Sequence, residues 1–282
     1  MAGSPRDRVA MNPSSIAVDH STTHVAEGAW TRVLLNKVPQ VTALFWVVKI
    51  LSTTVGETAA DFLNSNVGLG LSATTALMAL LLAGVLIVQF SSKQYIPSTY
   101  WLAVVLISVV GTLFSDNLVD NFGVSLWITS AIFGAGLAAS FLAWYRSEKT
   151  LSIHTIVTRQ REAYYWLTIL FTFALGTSAG DLVAEKLAVG YLPSALIFAA
   201  VIAAVTAAFY GLKANAVLAF WAAYIITRPF GASMGDYLTA PTKDGGLGIG
   251  TNGTSAIFLA VIIACVAWFT VQARATKPGR TQ

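Results

Sequence analysis

Long apolar stretches separated by short polar ones run through most of the chain. Eight such stretches can be drawn, at about 40–63, 71–90, 99–119, 125–145, 163–184, 191–210, 214–238 and 252–272. Each is close to the roughly 20 residues that an α-helix needs to cross the hydrocarbon core of a bilayer. The interruptions are polar and brief, as in SSKQYIPS and APTKDGG. The alternation of apolar and polar residues expected of a membrane β-barrel is absent. The pattern predicts an all-α integral membrane protein of eight transmembrane helices.

Composition strengthens that reading. Of 282 residues, 56% are hydrophobic and 11% charged, far from the balance of a soluble domain. The pI near 9.2 invites a nucleic-acid reading, but the placement of the charges opposes it. Arg6, Arg8, Arg32, Lys37, Lys93, Arg146, Lys149, Arg159, Arg161, Lys213, Arg274, Lys277 and Arg280 fall on one side of an eight-helix topology. Lys186 and Lys243 fall in loops on the other side. The positive-inside rule then puts both termini in the cytoplasm, with the bilayer as partner and no nucleic acid. A homo-oligomer remains open.

The expected divisions are a disordered cytosolic tail at 1–37, a first membrane half at 38–145, a cytosolic linker at 146–161, a second half at 162–272 and a cytosolic tail at 273–282. The N-terminal segment lacks the apolar core of a signal peptide, and Met11 is a second candidate start. The single Cys265 sits inside the last span, so neither a disulfide framework nor a thiolate metal site is expected.

A repeat organises the spans. WVVKILSTTVGETAAD from Trp46 has a Gly ten positions after the Trp, then a small residue and an Asp. The same spacing recurs from Trp101 (WLAVVLISVVGTLFSD), Trp166 (WLTILFTFALGTSAGD) and Trp221 (WAAYIITRPFGASMGD). The chain therefore reads as four tandem two-helix repeats in two pseudo-symmetric halves. An even number of helices per repeat keeps all four in parallel orientation, related by an axis along the membrane normal. Asp61, Asp116, Asp181 and Asp236 then share one depth. The Trp level lies about 22 Å away, nearer the cytoplasm.

This pattern, over about residues 38 to 272, resembles the four-repeat bacterial integral membrane proteins of unknown function, each repeat carrying two transmembrane segments and a characteristic Trp. The resemblance implies the architecture and says little about a substrate. A weaker similarity links the duplicated intramembrane acids to cation exporters, manganese exporters among them.

The motif carries candidate chemistry. Gly56/Ala60, Gly111/Ser115, Gly176/Gly180 and Gly231/Gly235 have the small-xxx-small spacing of close helix contacts. A membrane-embedded Asp costs about 2.5–3.5 kcal/mol, so the four should face an interior, a cavity or the outer interface. As a ring of hard oxygens, Asp61, Asp116, Asp181, Asp236 and Glu57 are candidate metal ligands for a divalent cation, Mn²⁺ first. One turn before each Asp stand Glu57, Thr112, Thr177 and Ala232, which continues the line of oxygens in three repeats. Asp120 and Glu185 would extend it to an outer vestibule. Alternatively the Asp residues cap helices, as in SDN at 115–117, and bind no ion.

Two bases lie inside spans. Arg228, before Pro229, can pair with Asp236 or Glu57 or act as a gate; Lys49 can do likewise, or snorkel to the interface. The four motif Trp read as packing residues, Trp144 and Trp268 as interface anchors, His154 as a surface residue and GGLGIGTNGTS as an outer loop. No Ser/His/Asp set, HExxH, Cys cluster or nucleotide motif occurs, so neither an enzyme nor a cofactor is expected. The leading expectation is a cation transporter, with export favoured by an acidic outer mouth. The alternatives are a proton-coupled transporter of a small organic solute and a non-transporting scaffold or sensor.

Overall fold

The computed structural model describes residues 36–66 and 68–275; most of the two expected tails lies outside them. Eight long helices follow in order: α1 Ala43–Asp61, α2 Leu71–Ser91, α3 Pro97–Asp116, α4 Leu126–Glu148, α5 Arg159–Asp181, α6 Tyr191–Gly211, α7 Ala216–Thr239 and α8 Thr251–Ala275. No strand occurs among the described residues. Polar residues start several helices where the expected spans begin. Thr42, Ser125, Thr158 and Asn215 accept amides of the first turns of α1, α4, α5 and α7, and Pro97 opens α3.

Six helices are long and apolar enough to cross a membrane. The two that fall short, α1 and α7, carry Lys49, Glu57, Asp61, Arg228 and Asp236. They can afford those charges because they are inner helices. The odd-numbered helices α1, α3, α5 and α7 form a closed ring, each packed on the next and α7 back on α1. The even-numbered helices stand outside, and each leans on the inner helix of the following repeat: α2 on α3, α4 on α5, α6 on α7, α8 on α1. The outer helices α2, α4, α6 and α8 are 11–22% buried over their most apolar stretches, against 56–61% for α3 and α5. Apolar helices outside and polar residues gathered at the centre suggest a membrane protein.

One contact, repeated four times, builds the ring. The motif Gly of each repeat meets the residue three positions before the motif Gly of the next. Gly56 faces Ser108, Gly111 faces Phe173, Gly176 faces Arg228 and Gly231 faces Thr53. A Cβ at Gly56 would lie 1.9 Å from Ser108 Oγ, and one at Gly231 1.8 Å from Thr53 Oγ1. The glycines are therefore the packing surface that the spacing predicted, and the backbones approach closely because nothing projects from them.

A second ring of contacts lies nearer the helix starts. The residue before each motif Trp is aromatic, a regularity overlooked in reading the repeat from its Trp, Gly and Asp. Each packs on the Trp of the next repeat: Phe45 on Trp101 at 5.6 Å between centroids, Tyr100 on Trp166 at 5.5 Å, Tyr165 on Trp221 at 6.2 Å and Phe220 on Trp46 at 5.7 Å. Trp268 is exposed, as an interface residue should be. Trp144 is not such a residue: it is fully buried against Tyr165 and Trp221, because α4 leans into the ring there.

Lys37, expected in a basic loop, is also buried. Its ammonium donates to Glu162 Oε2 at 2.6 Å and to the Phe90 carbonyl, and Gln89 donates to the other Glu162 oxygen. With the Lys37 amide bonded to the Ile156 carbonyl, this network ties the segment before α1 to the linker and to the second half.

Adding a side chain where backbones touch should overpack the ring. At Gly111 a Cβ would lie 2.7 Å from Phe173 Cβ and 3.0 Å from the Ala174 amide nitrogen, whereas Gly84 on α2 has open space. Gly111→Leu is expected to cost about 1–3 kcal/mol or more and to lower the unfolding temperature in detergent. Gly84→Leu should leave it unchanged.

Candidate functional site

Each of α1, α3 and α5 ends on its motif Asp and passes into a π-helical turn, at Phe62–Asn66, Asn117–Asn121 and Leu182–Lys186. The wider turn carries the chain outward from the ring without a break in its hydrogen bonds. Helix α7 has no such turn and continues to Thr239. Since all four inner helices run the same way, Asp61, Asp116, Asp181 and Asp236 arrive together at one end of the ring.

They line a single cavity of about 350 Å³ together with Glu57, Asp120 and Glu185. The shared depth inferred from the repeat thus becomes a shared surface. Asn64, Val119, Leu126, Tyr191, Thr239 and Ala240 complete the wall, and the Tyr191 hydroxyl donates to Glu185 Oε1 at 3.3 Å. Asn64, Val119 and Thr239 each stand three residues after a motif Asp, and Leu126 and Tyr191 each open an outer helix, so the repeat spacing itself brings them to the cavity. The four motif Asp side chains are half-buried, and no hydrogen bond from them to a described residue is formed; Asp116 and Asp181 do not cap the turns that follow them. Among the described residues no group of three or more His, Cys, Asp or Glu side chains is arranged to hold a metal ion. The carboxylates surround the cavity and do not converge on one point.

The floor of this acidic cup is an ion pair. Arg228 Nη2 donates to Glu57 Oε2 at 2.8 Å, with the guanidinium fully buried and Glu57 5% exposed. Of the two partners considered for Arg228, the structure selects Glu57. The same nitrogen donates to Thr177 Oγ1 at 2.6 Å and to Thr112 Oγ1, and the Thr112 hydroxyl donates to Glu57 Oε2 at 3.2 Å. Thr112 and Thr177 therefore serve the guanidinium in this state. Arg228 occupies the position held by Thr53, Ser108 and Phe173 in the other repeats, and its stem lies on Gly176, where a Cβ would fall 2.3 Å from Arg228 Cγ.

Lys49 lies deeper still, and it does not snorkel. It is fully buried, donating to the Tyr224 carbonyl at 2.9 Å and to the Thr227 hydroxyl, with its ammonium 4.5 Å from the Tyr224 ring centroid and 5.4 Å from that of Phe173. The α1–α7 contact carries several hydrogen bonds: Thr54 Oγ1 donates to the Gly231 carbonyl at 3.1 Å, and Arg228 and Lys49 both cross it. From the mouth inward the order is Asp120 and Glu185, the four Asp, Glu57 with Arg228, and then Lys49.

The fourfold ring and its acidic end correspond to four consecutive matches of one family repeat, at residues 44–95, 99–150, 164–215 and 219–275. The chain belongs to the DUF347 family. The family is described as a Repeat of Unknown Function. No curated protein and no solved structure matches the chain. In DUF347 terms, each repeat supplies one inner helix with the Trp, Gly and Asp, and one outer helix. Repeats one and four depart from the common pattern by adding Lys49, Glu57 and Arg228.

A buried ion pair makes a sharp energetic prediction. Arg228→Ala strands the Glu57 carboxylate away from water and should destabilise the protein by about 3–5 kcal/mol. Arg228→Met combined with Glu57→Gln, which removes both charges, should recover most of the loss. Thermal unfolding in detergent measures both variants. Equal damage from the single and double changes would mean that the pair's shape, and not its charge balance, holds the ring together.

Proposed function

We propose that this chain is a membrane transporter for a cation, admitted through the acidic cup. The observation that carries this reading is the gathering of seven carboxylates around one cavity whose floor is the Glu57–Arg228 pair. Intramembrane acids facing a cavity are costly and mark ion pathways. Their summed field concentrates cations at the mouth. Arg228 acts in this scheme as a resident cation, which an arriving one displaces from Glu57. Arg228 and Lys49 below the cup oppose a free leak of positive charge.

Carboxylate oxygens favour hard divalent ions, and Mn²⁺ is the first to test, beside Mg²⁺ and Ca²⁺. Because no three acids among the described residues are arranged to hold a metal ion, the cation would keep part of its water shell. The cup would face outward and the basic loops the cytoplasm of a bacterial inner membrane, with both termini cytoplasmic. Export is the direction that fits an acidic exit. The same lack of convergence favours a second reading, in which the four Asp relay protons that drive a small organic solute. A scaffold whose Asp residues only cap helices has less support, since those carboxylates hold no backbone amide.

Purified protein should gain thermal stability on addition of at least one of Mn²⁺, Mg²⁺, Ca²⁺ and Zn²⁺. The double variant Asp61→Asn, Asp181→Asn should fold but lose that gain by tenfold or more in the concentration required. An unchanged metal response in the variant would remove the cup from the mechanism. Stability that follows pH and ignores every metal would select the proton-coupled reading.

A further inference from the structure

The ring is fourfold in its glycine contacts but not in its outer packing. Three of the four inner helices are also approached by the outer helix two repeats away, near the motif Trp. On α3, Phe269 of α8 stacks on Trp101 at 6.2 Å with the rings 10° from parallel. On α7, Phe141 and Trp144 of α4 close on Trp221 at 5.0 and 5.8 Å. On α5, Gln89 of α2 is buried and bonded to Glu162. Trp101, Trp166 and Trp221 are accordingly 1–4% exposed.

Among the described residues nothing covers the equivalent place on α1 in this way. There α6 should cover Trp46, yet its Phe209 is 36% exposed and Tyr210 78% exposed, and Trp46 is only half-buried. A groove of about 660 Å³ remains between α1, α6 and α7, lined mostly by apolar side chains, Trp46, Ile50, Ile202, Val205 and Phe220 among them. Aromatic side chains fill two of the other three seams and Gln89 closes the third; beside Trp46 the lining is mostly apolar, so an apolar group lying along the ring fits it.

Its end at the basic loops is polar. Thr42, Ser152 and the exposed His154 line it, and Lys213 sits exposed in the turn between α6 and α7, the groove's two walls. Among the described residues lining this end there is no acid, and Lys213 adds positive charge in the adjoining turn. We propose that the open seam binds one acyl chain of an anionic phospholipid, with its headgroup at Lys213 and His154. The chain runs along Trp46 as Phe269 runs along Trp101. Thr227, at the inner wall, also holds Lys49, so the lipid lies one hydrogen bond from the buried charges.

The proposal is tested by titrating the detergent-purified protein with phosphatidylglycerol or phosphatidylcholine, reading the unfolding temperature, and counting retained lipids by native mass spectrometry. Wild type is expected to retain one phosphatidylglycerol per chain and to be stabilised several-fold more effectively by it than by phosphatidylcholine. Ala219→Trp fills the groove with the protein's own side chain and should remove both the retained lipid and the stabilisation. Ile202→Trp makes the same test from the opposite wall if the first variant fails to fold. Lys213→Glu should keep the chain site but abolish the preference for phosphatidylglycerol. Retention of the lipid by both Trp variants would overturn the seam as its site. Equal stabilisation of wild type by the two lipids, or an unchanged preference in Lys213→Glu, would overturn the anionic headgroup.

Discussion

Everything in this molecule depends on four inner helices approaching closely enough for a glycine to touch the next helix at a fixed height. Between helices that stand in a bilayer there is no hydrophobic drive, and close packing has to supply the attraction. Gly56, Gly111, Gly176 and Gly231 remove the side chains that would hold the backbones apart. That contact sets the depth of the ring, and the Asp five residues further on inherits its place from it. The acidic cup is thus a geometric consequence of the packing motif.

The ring also explains where charge is tolerated. Lys49, Glu57 and Arg228 all lie on α1 and α7, the helices that join the first repeat to the last. At that contact Lys49 and Arg228 each reach a backbone carbonyl of the facing helix, and Gly176 leaves space for the Arg228 stem. A guanidinium surrounded by Glu57, Thr112 and Thr177 is paired and hydrogen-bonded, which is the condition for burying it at all. The open groove flanks the same junction, so departure from fourfold symmetry is concentrated where the chain's two ends of the repeat array meet.

Much of this was legible in the residues. The eight helices lie within a few positions of the apolar stretches, and the four-repeat organisation is that of the matched family. Gathering of Asp61, Asp116, Asp181 and Asp236 at one depth followed from parity alone, since two helices per repeat leave every inner helix pointing the same way. Other features were hidden because they arise between distant segments. Lys37 looked like a loop residue until Glu162 and Gln89 closed around it. Lys49 looked free to snorkel until Tyr224 and Thr227 held it. Trp144 looked like an anchor until the lean of α4 put it against Trp221.

Periodicity, spacing and helix parity determined the helices, their direction and the level of each motif residue, because these are properties of one chain segment and its copies. Which inner helix touches which, the choice of Glu57 over Asp236 as the partner of Arg228, and the seam left open beside Trp46 were decided only in the folded ring. The reason is physical: four near-identical units have near-identical local preferences, so only closure of the ring distinguishes them. Closure brings the first unit against the last, where their few private residues meet for the first time.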